Sequence, residues 1–464
     1  MKPKAMTLTA GLAALLLTGC GIGPADCSKW NTAGFFKKAS VEDVQTCLNA
    51  GADVNARTEE GWTPLHRAVR FNENPAVIKA LIDAGADLEA RDNVRYVGLT
   101  EFFFFNLPNL LKGKDISQDG NGGVRWRSTV PLHVAAGFNK NPAVIEALLD
   151  AGAELEARTE EGWTPLHAAA SNENPAVISA LLNTGADPKA HSKGGWTPLH
   201  GAASNENPAV IQALLDAGTD LEARNKLGET PLHEAADNNE NLVVIKALID
   251  AGADLEARDN NGSTPLHEAA DNNENPAVIM ALIDAGADPK ARDKDGETPL
   301  HEAVRWTRRS RNSAAVIEAL LDAGADPKAR NKDGDTPLHS AADDNENPAV
   351  IKALLDAGAD LEARNTSGWT PLHWAACCNT NPAVIEALID AGADIGARDK
   401  RGRTLLHWAA RRSRNPAVIQ ALLKAGADAS LQDNEGNLPV DLIGKYSTLR
   451  DTYAYRKLHD ARYK

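Results

Sequence analysis

From residue 63 onward, two kinds of apolar block alternate along the chain. One reads Pro-Leu-His followed by small residues, with leucine and alanines three and four apart. The other reads Pro-Ala-Val-Ile and continues as a broader aliphatic stripe at helical spacing. Residues 259–292 show how the blocks combine. Asn260-Asn261-Gly262 is a turn signal, and Pro265 opens a helix at a position where its missing N–H is no loss. Leu266, Ala269 and Ala270 give that helix an apolar face of small side chains. Asn275 and Pro276 then restart the chain as N-cap and first helical residue, Val278, Ile279, Leu282 and Ile283 form the buried stripe, and Gly286 ends the second helix as a left-handed cap. The predicted unit is hairpin turn, helix, loop, helix.

The unit recurs. Thr-Pro-Leu-His begins at Thr63, Thr164, Thr197, Thr230, Thr264, Thr298, Thr336 and Thr370, with variants at Val130 and Thr404. From Thr164 to Thr404 the steps are 33, 33, 34, 34, 38, 34 and 34. A period near 33 carrying this tetrad closely resembles the ankyrin repeat. The resemblance covers nearly all of the chain after residue 30, so 464 residues need not form one core. It implies an all-α repeat solenoid of helix-loop-helix units joined by β-hairpin-like turns, whose concave face grips other proteins. No unit buries both faces alone, so stability must come from neighbours and the ends need covers. The expected layout is an N-terminal capping repeat at 31–57, eleven repeats at 58–432, and a C-terminal capping repeat and tail at 433–464. In the first cover Ser40 is the expected N-cap and Asp43 its capping-box partner.

Two irregularities interrupt the period. Residues 92–125 add one whole period, either as a long insertion at a hairpin tip or as a decayed repeat. Pro75, Pro108 and Pro142 keep phase across them and favour decay; the run Phe102, Phe103, Phe104 and Phe105 would fill the core of such a unit or form an exposed apolar patch. The 38-residue step places Arg305, Arg308, Arg309 and Arg311 in an enlarged inter-helix loop.

The amino terminus bears on the compartment. Lys2 and Lys4 precede an apolar stretch at 5–17, too short to span a bilayer, and then comes Leu17-Thr18-Gly19-Cys20. This resembles the lipobox of bacterial lipoproteins. The resemblance implies that residues 1–19 are a signal peptide, that Cys20 becomes the acylated first residue, and that residues 20–30 are a tether. Gly21, where an aspartate would favour inner-membrane retention, mildly favours the outer membrane.

Composition narrows the partner. A formal charge of −15 with 43% hydrophobic and 5% aromatic residues argues against nucleic acid and anionic lipid surfaces, and for a basic or mixed-charge protein. Ten of twelve histidines, His66 to His407, take the fourth place of the tetrad, so their repetition points to a structural role rather than a metal or catalytic one. Cys27 and Cys47 could form a disulfide, with Cys47 otherwise a small core residue. Cys377 and Cys378 are expected at the surface, where other units carry Asp343-Asp344 or Asp237-Asn238. No phosphate loop, nucleophile elbow, paired-carboxylate cleft or zinc-finger spacing occurs. Neither catalysis nor a cofactor is expected.

The position after the motif histidine, by the ankyrin resemblance, projects toward the concave face. It is Glu234, Glu268 and Glu302 in the middle units, with Asp237 and Asp271 three residues after the first two. Toward the carboxyl end it becomes Trp374 and Trp408, accompanied by Arg411 and Arg412. The expectation is an acidic stretch followed by an aromatic-basic one, unless the acids serve solubility and the tryptophans pack on their own repeats. Three roles compete: a protein-binding scaffold or chaperone-like module of a bacterial envelope, a structural spacer there, or a secreted effector acting on a host.

Overall fold

A computed structural model describes residues 25–93, 128–273, 275–305, 313–413, 415–444 and 448–463. Its architecture is a nearly all-helical stack. Among the described residues there are ten helix pairs, from Pro64–Phe71 with Pro75–Asp83 to Leu405–Arg412 with Pro416–Lys424. First helices pack on first helices of the adjacent units, and second on second: Pro231–Asn238 lies on Pro265–Asn272, and Leu242–Asp250 on Pro276–Asp284. The layers are fused by aliphatic burial. Leu266, Ala269, Val278, Ile279 and Leu282 are fully buried, and each large side chain contributes roughly 1.5–3 kcal/mol.

Helix starts follow the sequence chemistry. Thr230 caps Pro231–Asn238, and Asn241 Oδ1 accepts from the N–H of Val243. Gly286 stands at φ 110° after Pro276–Asp284. At the front, Ser40 and Asp43 form the anticipated capping box on Val41–Asn49. The pair left open there is closed: Cys27 and Cys47 are disulfide-bonded, with Cα atoms 5.3 Å apart. At the back, Pro439–Leu442 packs on Leu405–Arg412, and Tyr453–Asp460 covers Pro416–Lys424 with Ala454 and Leu458 buried.

Three ladders lock unit to unit. In the first, nine of the ten motif histidines face two ways, all but His373. His200 Nδ1 accepts the backbone N–H of Thr197 at 3.2 Å, and Nε2 lies 3.0 Å from the carbonyl of Glu229 in the next hairpin. A carbonyl can only accept, so the proton sits on Nε2 and the ring is neutral. Burial pushes His66, His133, His200, His267 and His373 down to about 4, and His167 to about 3.

The second ladder is buried asparagine. Asn172 Nδ2 donates to the carbonyls of Ala136 and Asn139 at 2.8 and 2.9 Å, satisfying helix-end carbonyls one unit back. Asn139, Asn205, Asn239, Asn273 and Asn379 repeat the arrangement. The third runs along the turns: Arg330 Nη1 donates to its own Gly334 carbonyl and to that of Arg364, and Arg364 repeats this with Gly368 and Arg398.

These contacts bear on the long interruption. Pro64–Phe71 and Pro75–Asp83 pack directly on Pro131–Phe138 and Pro142–Asp150. Asn139 Nδ2 reaches the carbonyls of Val69 and Asn72, and the Asp92 carboxylate accepts from the N–H and hydroxyl of Thr129 at 2.9 and 2.7 Å. No described unit stands between those pairs. The choice between an insertion and a decayed repeat falls on residues 94–127, which lie outside the described residues. The phenylalanine run lies outside the described residues, as do Cys20, Arg308, Arg309 and Arg311. Arg305 is described: it pairs with both oxygens of Glu297 at 2.7 Å.

Candidate partner-binding face

The first helices present one side to their neighbours and leave their carboxyl-terminal turns at the edge of the stack. The acidic residues anticipated there are less open than their types suggested. Glu234, Glu268 and Asp237 are buried, which corrects the picture of freely exposed acids. Glu234 lies across the preceding unit: Ser204 Oγ donates to its Oε1 at 2.7 Å, and Asn238 Nδ2 donates from its own helix. Gly201, at the same register one unit back, carries no side chain to oppose it. Asp271 and Glu302 are half-buried. Burial raises Glu302 to about 8, with the nearby Arg305 guanidinium opposing the shift. Acidity at the surface comes instead from Asp344, which is exposed, beside half-buried Asp343. Burial, followed by the Asp344 charge, raises Asp343 to about 6.

The aromatic end is a connected cluster. The Trp369 ring lies 4.8 Å from Trp374 and 4.3 Å from Trp408. Trp374 Nε1 donates to Asp335 at 3.1 Å, and Trp408 Nε1 to Asp399 at 3.0 Å. Arg403 and Arg411 approach the Trp408 ring at 5.3 and 5.8 Å. The tryptophans thus pack within the array while remaining half-exposed, and Arg411 and Arg412 are exposed beside them. Such a group combines rigid aromatic area with cationic reach, the composition of interface hot spots.

The cysteines also differ from expectation. Cys378 is exposed, but Cys377 is buried, 3% exposed. A hydrogen bond from Cys378 holds the Cys377 thiol below its usual range, with help from Arg412 and Arg411, while the same bond and burial push Cys378 up.

One grouping escaped sequence reading. Glu229, Asp259 and Glu268 come from two successive units and bring one carboxylate oxygen each within 4.8 Å of the others, all buried. Asn225 Nδ2 donates to Glu229, and the N–H groups of Asn261 and Ser263 donate to Asp259. These donors offset part of the negative charge and give the cluster a structural role. The signal lay in the recurring acid before the tetrad threonine, but only stacking brings it to its neighbours.

A succession of turn, helix, loop and helix, stacked with its neighbours and stapled by the tetrad histidines, defines an ankyrin-type solenoid. The chain belongs to the ankyrin repeat family. The family pattern described as ankyrin repeats in three copies matches residues 132–225, 202–293, 232–331, 272–365, 306–399 and 343–433, and the one described as ankyrin repeats in many copies matches 35–92. The chain is similar to the mitochondrial disaggregase of Bos taurus, 35% identical over 133 residues, covering 28% of this chain and 19% of that one. The Homo sapiens protein of that name is 33% identical over 163 residues, covering 28% and 23%. The chain thus spans about a fifth of those relatives. Similar solved structures are the human ASB11 ankyrin repeat domain, at 26% identity and TM-score 0.44, covering 50% of this chain and 99% of that one, and the Bcl-3 ankyrin repeat domain, at 33% and 0.40, covering 49% and 98%.

Proposed function

We propose that this protein is a lipid-anchored scaffold of a bacterial envelope that holds a basic or mixed-charge protein segment against the edge of its first helices. The observation that carries the reading is the half-exposed cluster Trp369, Trp374 and Trp408 with exposed Arg411 and Arg412 at one end of a row whose other exposed charge is acidic, at Asp344. Charges of this kind steer encounter, and the aromatic platform slows departure. Ankyrin repeats support protein binding rather than catalysis as the function. No helix among the described residues is long and apolar enough to cross a membrane, so the proposed attachment rests on the leader and Cys20. The Cys27–Cys47 disulfide supports an oxidising compartment.

A spacer is the second reading, favoured by the uniform ladders along the stack; ten layers at roughly 10 Å would reach on the order of 100 Å. Two experiments test the proposal. Cys20→Ser should release the protein from membranes or leave its leader uncut, and a processed, membrane-bound variant would remove the anchor. Pull-down of the delipidated protein from envelope extract should return a stoichiometric partner, whereas repeated failure favours the spacer.

A further inference from the structure

The bonds that lock unit to unit thin out between the pair Pro371–Cys378 and Pro382–Asp390 and the next pair, Leu405–Arg412 and Pro416–Lys424. His373 Nε2 is buried there with no hydrogen-bond partner, whereas His339 and His407 on either side reach the carbonyls of Trp369 and Asn437 at 3.1 and 2.9 Å. The buried asparagine register, Asn345 and Asn379 in the two preceding units, becomes Ser413. Its hydroxyl donates within its own loop, to the Asn415 carbonyl at 3.3 Å. Among the described residues no side chain donates to the carbonyls of Ala376 and Asn379 as Asn379 does to those of Ala342 and Asn345. The hairpin bond is longer as well: Lys400 N lies 3.2 Å from the Ser367 carbonyl, against 2.8 Å for Thr366 on Asp333 and for Lys332 on Asp295. Gly396 has no side chain to accept the Asp428 N–H, as Glu362 Oε1 accepts that of Asp394 one unit earlier. Across the junction there remain the bonds of Arg364 and Asn415 to the carbonyls of Arg398 and Thr380, the 4.3 Å contact of Trp369 with Trp408, and aliphatic packing.

We propose that the array breaks at this junction, so that Leu405–Arg412 and Pro416–Lys424 unfold together with the cap behind them as one body while the units before them stay stacked. In a stack held by nearest neighbours, buried hydrogen bonds add to the strength of each junction, and the weakest one sets where the stack opens. The cap goes with the last unit, because His407 still bonds the Asn437 carbonyl and Ala454 and Leu458 are buried. Opening divides the aromatic cluster, with Trp369 and Trp374 on one side and Trp408, Arg411 and Arg412 on the other. A partner seated across both sides would hold the junction shut; that consequence rests on the proposed partner surface, whereas the break does not.

The test is native-state hydrogen exchange of the full chain at pH 7 in rising urea, read by mass spectrometry, and it needs no partner. Amides of Leu405–Arg412, Pro416–Lys424 and Tyr453–Asp460 should exchange together, at least tenfold faster than those of Pro337–Asp344 and Pro348–Asp356. Ser413→Asn, which restores the ladder residue, should slow that exchange at least about fivefold, the worth of one buried hydrogen bond, and leave the middle units as they are. Asn379→Ser, which removes the same bonds one junction earlier, should add Pro371–Cys378 and Pro382–Asp390 to the fast body. Equal protection on both sides of the junction, exchange that spreads inward from the cap in separate steps, or an unchanged rate in folded Ser413→Asn would each overturn the proposal.

Discussion

Acidification should loosen this stack junction by junction, because the histidines that staple successive units are held neutral. A histidine at about 4 when folded, such as His200, titrates near 6.5 once unfolded. Between those values the unfolded chain binds the extra proton, so stability falls as pH falls from about 6.5 to about 4. Linkage gives a loss of roughly 0.2 kcal/mol at pH 7 and roughly 2 kcal/mol at pH 5 for each such ring. His133, His167 and His200 serve three consecutive junctions, and together they remove about 6 kcal/mol there by pH 5. Glu302 works the other way. Raised to about 8 by burial, its carboxyl weakens folding above its unfolded pKa, and moving from pH 7 to 5 returns roughly 2 kcal/mol around its own unit. Hydrogen exchange at pH 5, corrected for intrinsic rates and compared with pH 7, should therefore show the greatest loss of protection across 130–230 and a smaller one near Glu302. The thermal midpoint by circular dichroism should fall over the same interval. An unchanged midpoint, or loosening concentrated at the Glu302 unit, would refute the reasoning.

The remaining predictions concern single residues. Asn172→Ala strands two buried carbonyls, those of Ala136 and Asn139, and should cost roughly 2–4 kcal/mol in urea unfolding, with exchange protection lost at that junction. Gly286→Val places a branched side chain at φ 110°; nothing lies within 4 Å of the added carbon, so backbone strain alone should weaken the junction by about 1–2 kcal/mol, and unfolding should begin there. Glu302→Gln should raise stability at pH 8 by about 1–3 kcal/mol and leave it nearly unchanged at pH 4, a difference visible in paired denaturant titrations.

Much of the fold was legible because its determinants are local. Thr-Pro, Asn-Pro and the recurring glycines specify helix starts and stops within a few residues, and the Ser40–Asp43 box needs only three. What escaped depends on the neighbour. Asn172 is a polar residue in a loop until Asn139 lies under it, and Arg364 is a charged turn residue until the next turn offers a carbonyl. Glu234 looks solvated until Ser204 and the bare Gly201 register give it a place to lie. The phase of the prolines across 92–125 suggests an additional unit, whereas the direct contact between the flanking pairs joins residues too far apart in the string to be read from it. The aromatic-basic end was legible as composition, whereas its packing around Trp369 was not, since three rings converge only when two units stack.

The most direct test of the account is association kinetics between a captured partner and the delipidated protein, measured against salt. The account predicts that Asp343→Lys with Asp344→Lys slows association and flattens its salt dependence, while Trp408→Ala mainly speeds dissociation, with circular dichroism unchanged in both. Identical on- and off-rates in both folded variants would contradict it and move the interface away from this edge of the solenoid.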